Sequence, residues 1–271
     1  DDGASGGASD DSDADGGTDD SGSADDSNPD SGTDDGTGDD SDSGGSDEPD
    51  AGDDTGDDPG SDPEPDPAPD PAPVGHLRGG IVVNEVLPDP NGTTNLDTDG
   101  NGTAATADEF VELYNTSEEP VDLAGLELWD PSADDWFVLP EASMLEPGAV
   151  ALILVGVQDG GALPGVAEGA LAFDAGRSRG VINNGGDNVL LLDREAGEYL
   201  QLLYNGDDPL DPTVELLEDG FPEDAVRIGG VEDWGSDSDG NSLGRNPDGT
   251  GAPAVHGEFG RPGSPGALNA P

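Results

Sequence analysis

Between two apolar runs, the segment Asp97–Asp108 reads DTDGNGTAATAD and is followed at once by Glu109. Asp97, Asp99 and Asn101 put side-chain oxygens at the first, third and fifth positions, and Gly102 permits a sharp turn at the sixth. Thr103 would add a backbone carbonyl at the seventh position and Asp108 a carboxylate at the twelfth. This is the alternation D-x-[DN]-x-[DN]-G-x₅-E of a calcium loop. Calcium takes about six to eight hard oxygen ligands, which such spacing can wrap around one point. The twelfth position carries Asp where the pattern has Glu, which shortens the last arm, and Glu109 is the candidate substitute. The metal-ligating set is therefore Asp97, Asp99, Asn101, Thr103, Asp108 and Glu109, with Ca²⁺ as the implied ion. The plainer alternative is that Asp, Asn and Gly simply build a good loop without metal.

Other chemistry is thin. Asp237-Ser238-Asp239-Gly240-Asn241 repeats the one-three-five spacing, but Ser242 stands where the glycine is needed, so a turn is expected there. Glu85 and Glu112 fall inside apolar runs and could pair as acid and base, yet carboxylate pairs say little among 64 acidic side chains. His76 and His256 lack a zinc-helix partner and read as solvated surface residues; no G-x-S-x-G elbow is present. Zero cysteine excludes disulfides, thiol nucleophiles and cysteine-ligated metals. Catalytic and cofactor-binding residues are assigned to none. Asn91, Asn101 and Asn115 each begin a glycosylation sequon.

The elements that must position the loop follow from apolar patterning. Short runs at Ile81–Leu87, Phe110–Tyr114, Leu123–Trp129, Trp136–Leu139, Val150–Val155, Val189–Leu192 and Tyr199–Tyr204 are bounded by Gly, Pro, Asn or Asp. Runs of that length, rich in β-branched and aromatic residues, predict strands, and seven or more predict an all-β sandwich or barrel. Val150–Gly156 is nearly continuous apolar and predicts a strand buried on both faces. Trp129 and Trp136 flank a turn and predict a hairpin with core-facing aromatics.

Composition divides the chain in two. Of 271 residues, 64 are acidic and 7 basic, all of the latter arginine, for a formal net charge of −57. The first 73 residues hold 27 of those acids and no Val, Leu, Ile, Met, aromatic or Arg. Such a stretch cannot offset its ordering entropy by burial, so residues 1–75 are expected to be a disordered acidic linker. Proline at every second position from Pro63 to Pro73 predicts a polyproline II spacer at its end. Residues 76–271 are expected to form the folded domain. The charge opposes nucleic-acid binding, which needs clustered Lys and Arg, and no apolar run is long enough to span a bilayer. A start inside a polar linker suits a chain whose signal peptide has been removed, with a lipid-modified cysteine just upstream of residue 1. The folded part still carries 37 acids against 7 arginines, which suggests salt adaptation, charge neutralisation by calcium, or both.

In order along the chain, IVVNEVLPDP, DEFVELYNTSEEPVDLAGLELWD, LEPGAVALILVG, INNGGDNVLLLDREAGEYL and DGNSLGRNPDGTG…RPGSPGALN resemble the lamin-tail domain in its bacterial and archaeal extracellular form, over about residues 81–269. The resemblance implies an immunoglobulin-like β-sandwich used as a non-catalytic interaction module on secreted or surface proteins. The expected function is thus an extracellular or cell-surface module on an acidic tether, meeting a protein or cell-envelope partner. Two alternatives stand beside it: a metal-dependent hydrolase using the Asp97–Asp108 loop, and an inert envelope spacer.

Overall fold

The structure is a computed structural model that describes residues 74–269. Of the linker and polyproline spacer expected over residues 1–75, residues 1–73 lie outside the described residues. Thirteen strands follow in order: β1 Ile81–Leu87, β2 Phe110–Asn115, β3 Val121–Asp122, β4 Leu126–Asp130, β5 Asp134–Val138, β6 Met144–Leu145, β7 Val150–Leu154, β8 Leu171–Asp174, β9 Asp187–Asp193, β10 Glu198–Tyr204, β11 Val226–Asp233, β12 Leu243–Arg245 and β13 Pro253–Val255. Among the described residues the one α-helix, α1, is the single turn Pro212–Glu215. No helix among the described residues is long and apolar enough to cross a membrane.

Two sheets make a sandwich. One has the order β13-β12-β1-β2-β7-β8 and the other β11-β10-β9-β4-β5, with β3 and β6 forming a small separate ribbon. Most neighbours are antiparallel; β7–β8 and β10–β11 are parallel. All seven expected runs lie on or overlap strands, and Trp129 and Trp136 sit on the β4–β5 hairpin, both buried.

The uninterrupted burial of β7 and β9 has a simple cause in the two-residue period of a strand. Ala151 and Ile153 face the main core with Val189 and Leu191 of the opposing sheet, while Leu152 and Leu154 face the other way. On that outer side, Leu152 and Leu154 join Leu87 and Phe110 under Leu96 and Leu163. Leu190 and Leu192 likewise join Trp129, Tyr199, Leu216 and Phe221 on the outer face of the second sheet. Long connections cover both outer faces, so strands that would have a wet side in a minimal sandwich have none. About 25 cal/mol per Å² of apolar surface accompanies each such burial.

A register shift between Val83 and Glu85 turns β1 locally and sets Glu85 directly opposite Glu112 on β2. Both glutamates are fully buried, on the side of the sheet covered by the C-terminal segment.

Candidate metal centre

The 97–108 loop runs into β2 through a short 3₁₀ turn, Thr106–Asp108. Gly100 and Gly102 hold φ of 71° and 97°, so the glycine expected at the sixth position does supply the left-handed turn. That turn folds the backbone around Asp97, whose Oδ1 and Oδ2 accept from the Asn101 and Gly102 amides at 3.1 and 2.7 Å. Asp99 accepts from the Asn101 amide through Oδ1 and from the Gln158 amide, at 2.7 Å, through Oδ2. Asp108 takes four donors: the Thr98, Asp99 and Ala105 amides and Gln158 Nε2.

One carboxylate oxygen from each of Asp97, Asp99 and Asp108 lies within 4.8 Å of the others, the one such group of three among the described residues. With a calcium–oxygen bond of about 2.4 Å, two oxygens on one ion lie at most about 4.8 Å apart, and all three pairs fall within that limit. Asp99 and Asp108 are buried and Asp97 half-buried. Burial, and then the Asp99 charge, push the Asp108 carboxyl upward, while backbone amides from Ala105 and Asp99 pull it back. The donor set therefore fits a hard divalent cation.

The other three expected ligands are placed differently. Asn101 turns its Nδ2 toward Asp99 and its Oδ1 to the Thr103 amide. Thr103 is exposed on the rim. Glu109 does not stand in for the twelfth position: its Oε2 accepts from the Val181 and Ile182 amides, at 2.8 and 2.9 Å, away from the three aspartates. Asp108 ends the 3₁₀ turn while Glu109, at φ −56° and ψ 146°, has left it, and its side chain goes to the 181–182 amides instead of the loop. Burial lifts Glu109 to about 8, against the pull of the two amides, and the Asp130 and Asp89 charges add to the rise. Gln158 and Gly161, which follow β7, complete the centre. Nothing in their local sequence announces this, because they are brought there by the β2–β7 ladder.

A second polar cluster was invisible in the sequence. His256, expected on the surface, is fully buried, with Nε2 3.4 Å from Glu85 Oε2 and 3.1 Å from Ser264 Oγ. The correction has a physical cause. Glu85, buried on β1, requires partners, and it receives Ser242 Oγ, Ser264 Oγ and the Ser264 amide at 2.5, 2.7 and 2.9 Å. Asn269 ties in through Ser264 Oγ and His256 Nε2. Burial pulls the His256 pKa down, but the hydrogen bond and charge of Glu85 outweigh it and the net shift is upward.

Serine, histidine and glutamate thus meet, but not as a nucleophilic triad. Serine and carboxylate share the same histidine nitrogen, while Nδ1 has no partner and all three side chains are sealed from solvent. A triad needs the carboxylate on one nitrogen and the serine on the other. The cluster instead clasps the 242–269 segment to β1 and β2, with Gly266 donating its amide to Glu112 at 2.8 Å. Burial and the neighbouring Glu85 raise the Glu112 pKa well above the usual carboxylate range.

The Asp237–Asn241 cluster is a turn, with Asn241 Nδ2 on the Ser238 carbonyl and Asp237 bonded to Asn205. Asn115 is fully buried, so its sequon is closed to modification. The hydrolase alternative gains no support from these arrangements.

No curated protein and no solved structure matches the chain. The family model of the lamin tail domain matches residues 76–206. That family is immunoglobulin-like and usually non-catalytic. The match covers β1 to β10, with the aspartate loop inserted before β2, and ends before β11, β12 and β13. Over residues 76–206 the chain is thus similar to the lamin tail domain family.

Proposed function

We propose that the protein is a non-catalytic extracellular or cell-surface module, carried on its acidic N-terminal stretch and stiffened by calcium at the 97–108 loop. The sandwich supplies a rigid frame, the loops at its ends meet a protein or cell-envelope partner, and residues 1–73 set the reach. The single observation that supports calcium is the meeting of three carboxylate oxygens, from Asp97, Asp99 and Asp108, within 4.8 Å. Asp97 and Asp99 would hold the ion from the loop and Asp108 from the 3₁₀ turn that leads into β2. The ion would supply positive charge that the three aspartates lack, joining loop and strand. Gln158 fixes the arrangement from outside by donating to both Asp99 and Asp108.

The test is the thermal midpoint of the full chain with calcium and with chelator, at low and high NaCl, beside Asp97→Ala/Asp99→Ala. Ligand at about 100 times its Kd adds about 2.7 kcal/mol, or a rise of about 5–11 °C for a domain of this size. That rise should vanish in the variant. Stabilisation by NaCl with no response to calcium would overturn the metal reading and leave charge screening as the role of the acids.

A further inference from the structure

Four asparagines are followed directly by glycine: Asn91, Asn101, Asn184 and Asn205. In such a pair the glycine backbone nitrogen can attack the asparagine Cγ, because no side chain shields that nitrogen. The ring so formed expels ammonia, and water opens it to an acid. Three things make the step slow in a free peptide. The nitrogen holds its proton, the amide carbonyl is a poor electrophile, and the side chain must first find the right turn. At Asn101 the aspartate loop supplies all three.

The turn is already made. Asn101 Oδ1 accepts from the Thr103 amide at 2.8 Å, which folds the side-chain amide back over the peptide that carries the Gly102 nitrogen. That Thr103 N–H also stands where negative charge develops on Oδ1 as Cγ is attacked. The Gly102 N–H points at Asp97 Oδ2, 2.7 Å away and within reach of a general base. Asn101 Nδ2, the group to be expelled, is turned toward Asp99 Oδ2 at 3.4 Å. Gly102 is exposed, and nothing lies within 4 Å of where its side chain would be, so water can enter and ammonia can leave. The other pairs lack this set. The Gly92 amide goes to the neutral Asn95 Oδ1, and Asn205 has both ends of its side chain tied to the 184 and 237 segments.

We infer that Asn101–Gly102 is a self-modifying site, at which the loop converts its own asparagine to an acid. Asp97 Oδ2 takes the proton from Gly102 N as that nitrogen bonds to Asn101 Cγ. The Cγ–Nδ2 bond then breaks, and Nδ2 leaves as ammonia with the proton returned through solvent. Water opens the five-membered imide to an aspartyl or an isoaspartyl residue. The first puts a carboxylate at the fifth position of the loop, beside Asp97 and Asp99; the second adds a methylene to the backbone at the turn. Calcium seated on Asp97, as proposed for this loop, removes the base and slows the step, which itself needs no metal.

The experiment incubates the full chain at neutral pH in chelator and follows the exchange of NH₂ for OH at each Asn-Gly pair by peptide mass mapping, with the chain in urea as reference. A well-matched general base is worth about 10²–10⁴-fold and a carboxylate facing a backbone amide less, so Asn101 should react about tenfold faster in the folded chain than in urea. Asn91, Asn184 and Asn205 should react no faster folded than in urea. Asp97→Asn should remove the acceleration and Asp97→Glu should keep part of it, with melting in chelator showing that each variant is folded. Asn101 reacting no faster folded than in urea, or as fast in folded Asp97→Asn as in wild type, overturns the site. An acceleration that depends on Asp97 but is untouched by calcium keeps this site and counts against Asp97 as a metal ligand.

Discussion

Glu85 offers the sharpest test of how the C-terminal segment is held. In Glu85→Ala the carboxylate and its acceptors disappear from a site with no solvent access. Two of the orphaned donors have fallbacks: Ser242 Oγ lies 3.3 Å from the Pro262 carbonyl, and Ser264 Oγ lies 2.6 Å from Asn269 Oδ1. Their loss should cost about 1 kcal/mol each, the net worth of an ordinary hydrogen bond. The Ser264 amide has no such fallback, and a lost charge-assisted bond costs about 1.5–3 kcal/mol. His256 also loses its only carboxylate neighbour, and the cavity adds its own penalty. Relief of repulsion with Glu112 is small, because Glu112 is held toward its neutral form. The sum is about 4–6 kcal/mol, a large part of a typical 5–15 kcal/mol of stability. Glu85→Gln keeps the volume and one acceptor and should cost about 1–3 kcal/mol. Urea unfolding followed by the fluorescence of Trp129, Trp136 and Trp234 measures both. A Glu85→Ala loss under about 1 kcal/mol, or a Gln variant as damaged as the Ala variant, would show that the clasp is not what seals this edge.

Other outcomes follow from the same contacts. Glu112 and His256 both have raised pKa values in the folded state, so their stabilisation is complete below the unfolded values of about 4.3 and 6.5 and is lost as pH rises through the folded ones. Stability should therefore fall from mildly acidic toward alkaline pH, and Glu112→Gln should flatten that fall in pH-dependent denaturation; an unchanged slope would count against the buried-carboxyl assignment. Gly161→Ala would place a Cβ 2.3 Å from Asp99 Oδ2, displacing that carboxylate and abolishing the calcium-dependent rise in melting temperature. Phe221→Ala should cost about 3–5 kcal/mol in urea unfolding, since the ring is buried edge-on against both Trp129 and Tyr199 at centroid distances of 5.3 and 5.4 Å.

The inner strands were legible because their apolar runs are long enough to carry a period. Ile81–Leu87 is β1 without a residue's difference. Strand β11, VRIGGVED, carries two glycines and is half-exposed along most of its length, so no alternation marks it. Strands β12 and β13 are three residues each and draw their stability from pairing with β1 and with one another. The 97–108 loop was legible because its oxygens and glycine lie within one short stretch. What failed was the orientation of Glu109 and the burial of His256. Both are decided by distant segments, the 180–182 turn for one and β1 for the other.

The point at which the acidic stretch joins the sandwich has a mechanical consequence. Gly75 is pressed so closely under the Ile228 carbonyl that a Cβ would lie 2.0 Å from it, and Leu77 exchanges two backbone hydrogen bonds with Ile81. A pull applied at residue 74 would thus reach the Ile81 end of β1, while the aspartate loop sits by the Leu87 end, beside Phe110. Seven residues of extended chain, about 23 Å, separate anchor from loop. Because β1 has neighbours on both sides, a load between those ends would have to slide whole ladders past one another at once rather than unzip them pair by pair. A pull applied at residue 74 would therefore meet a strand that is paired on both edges.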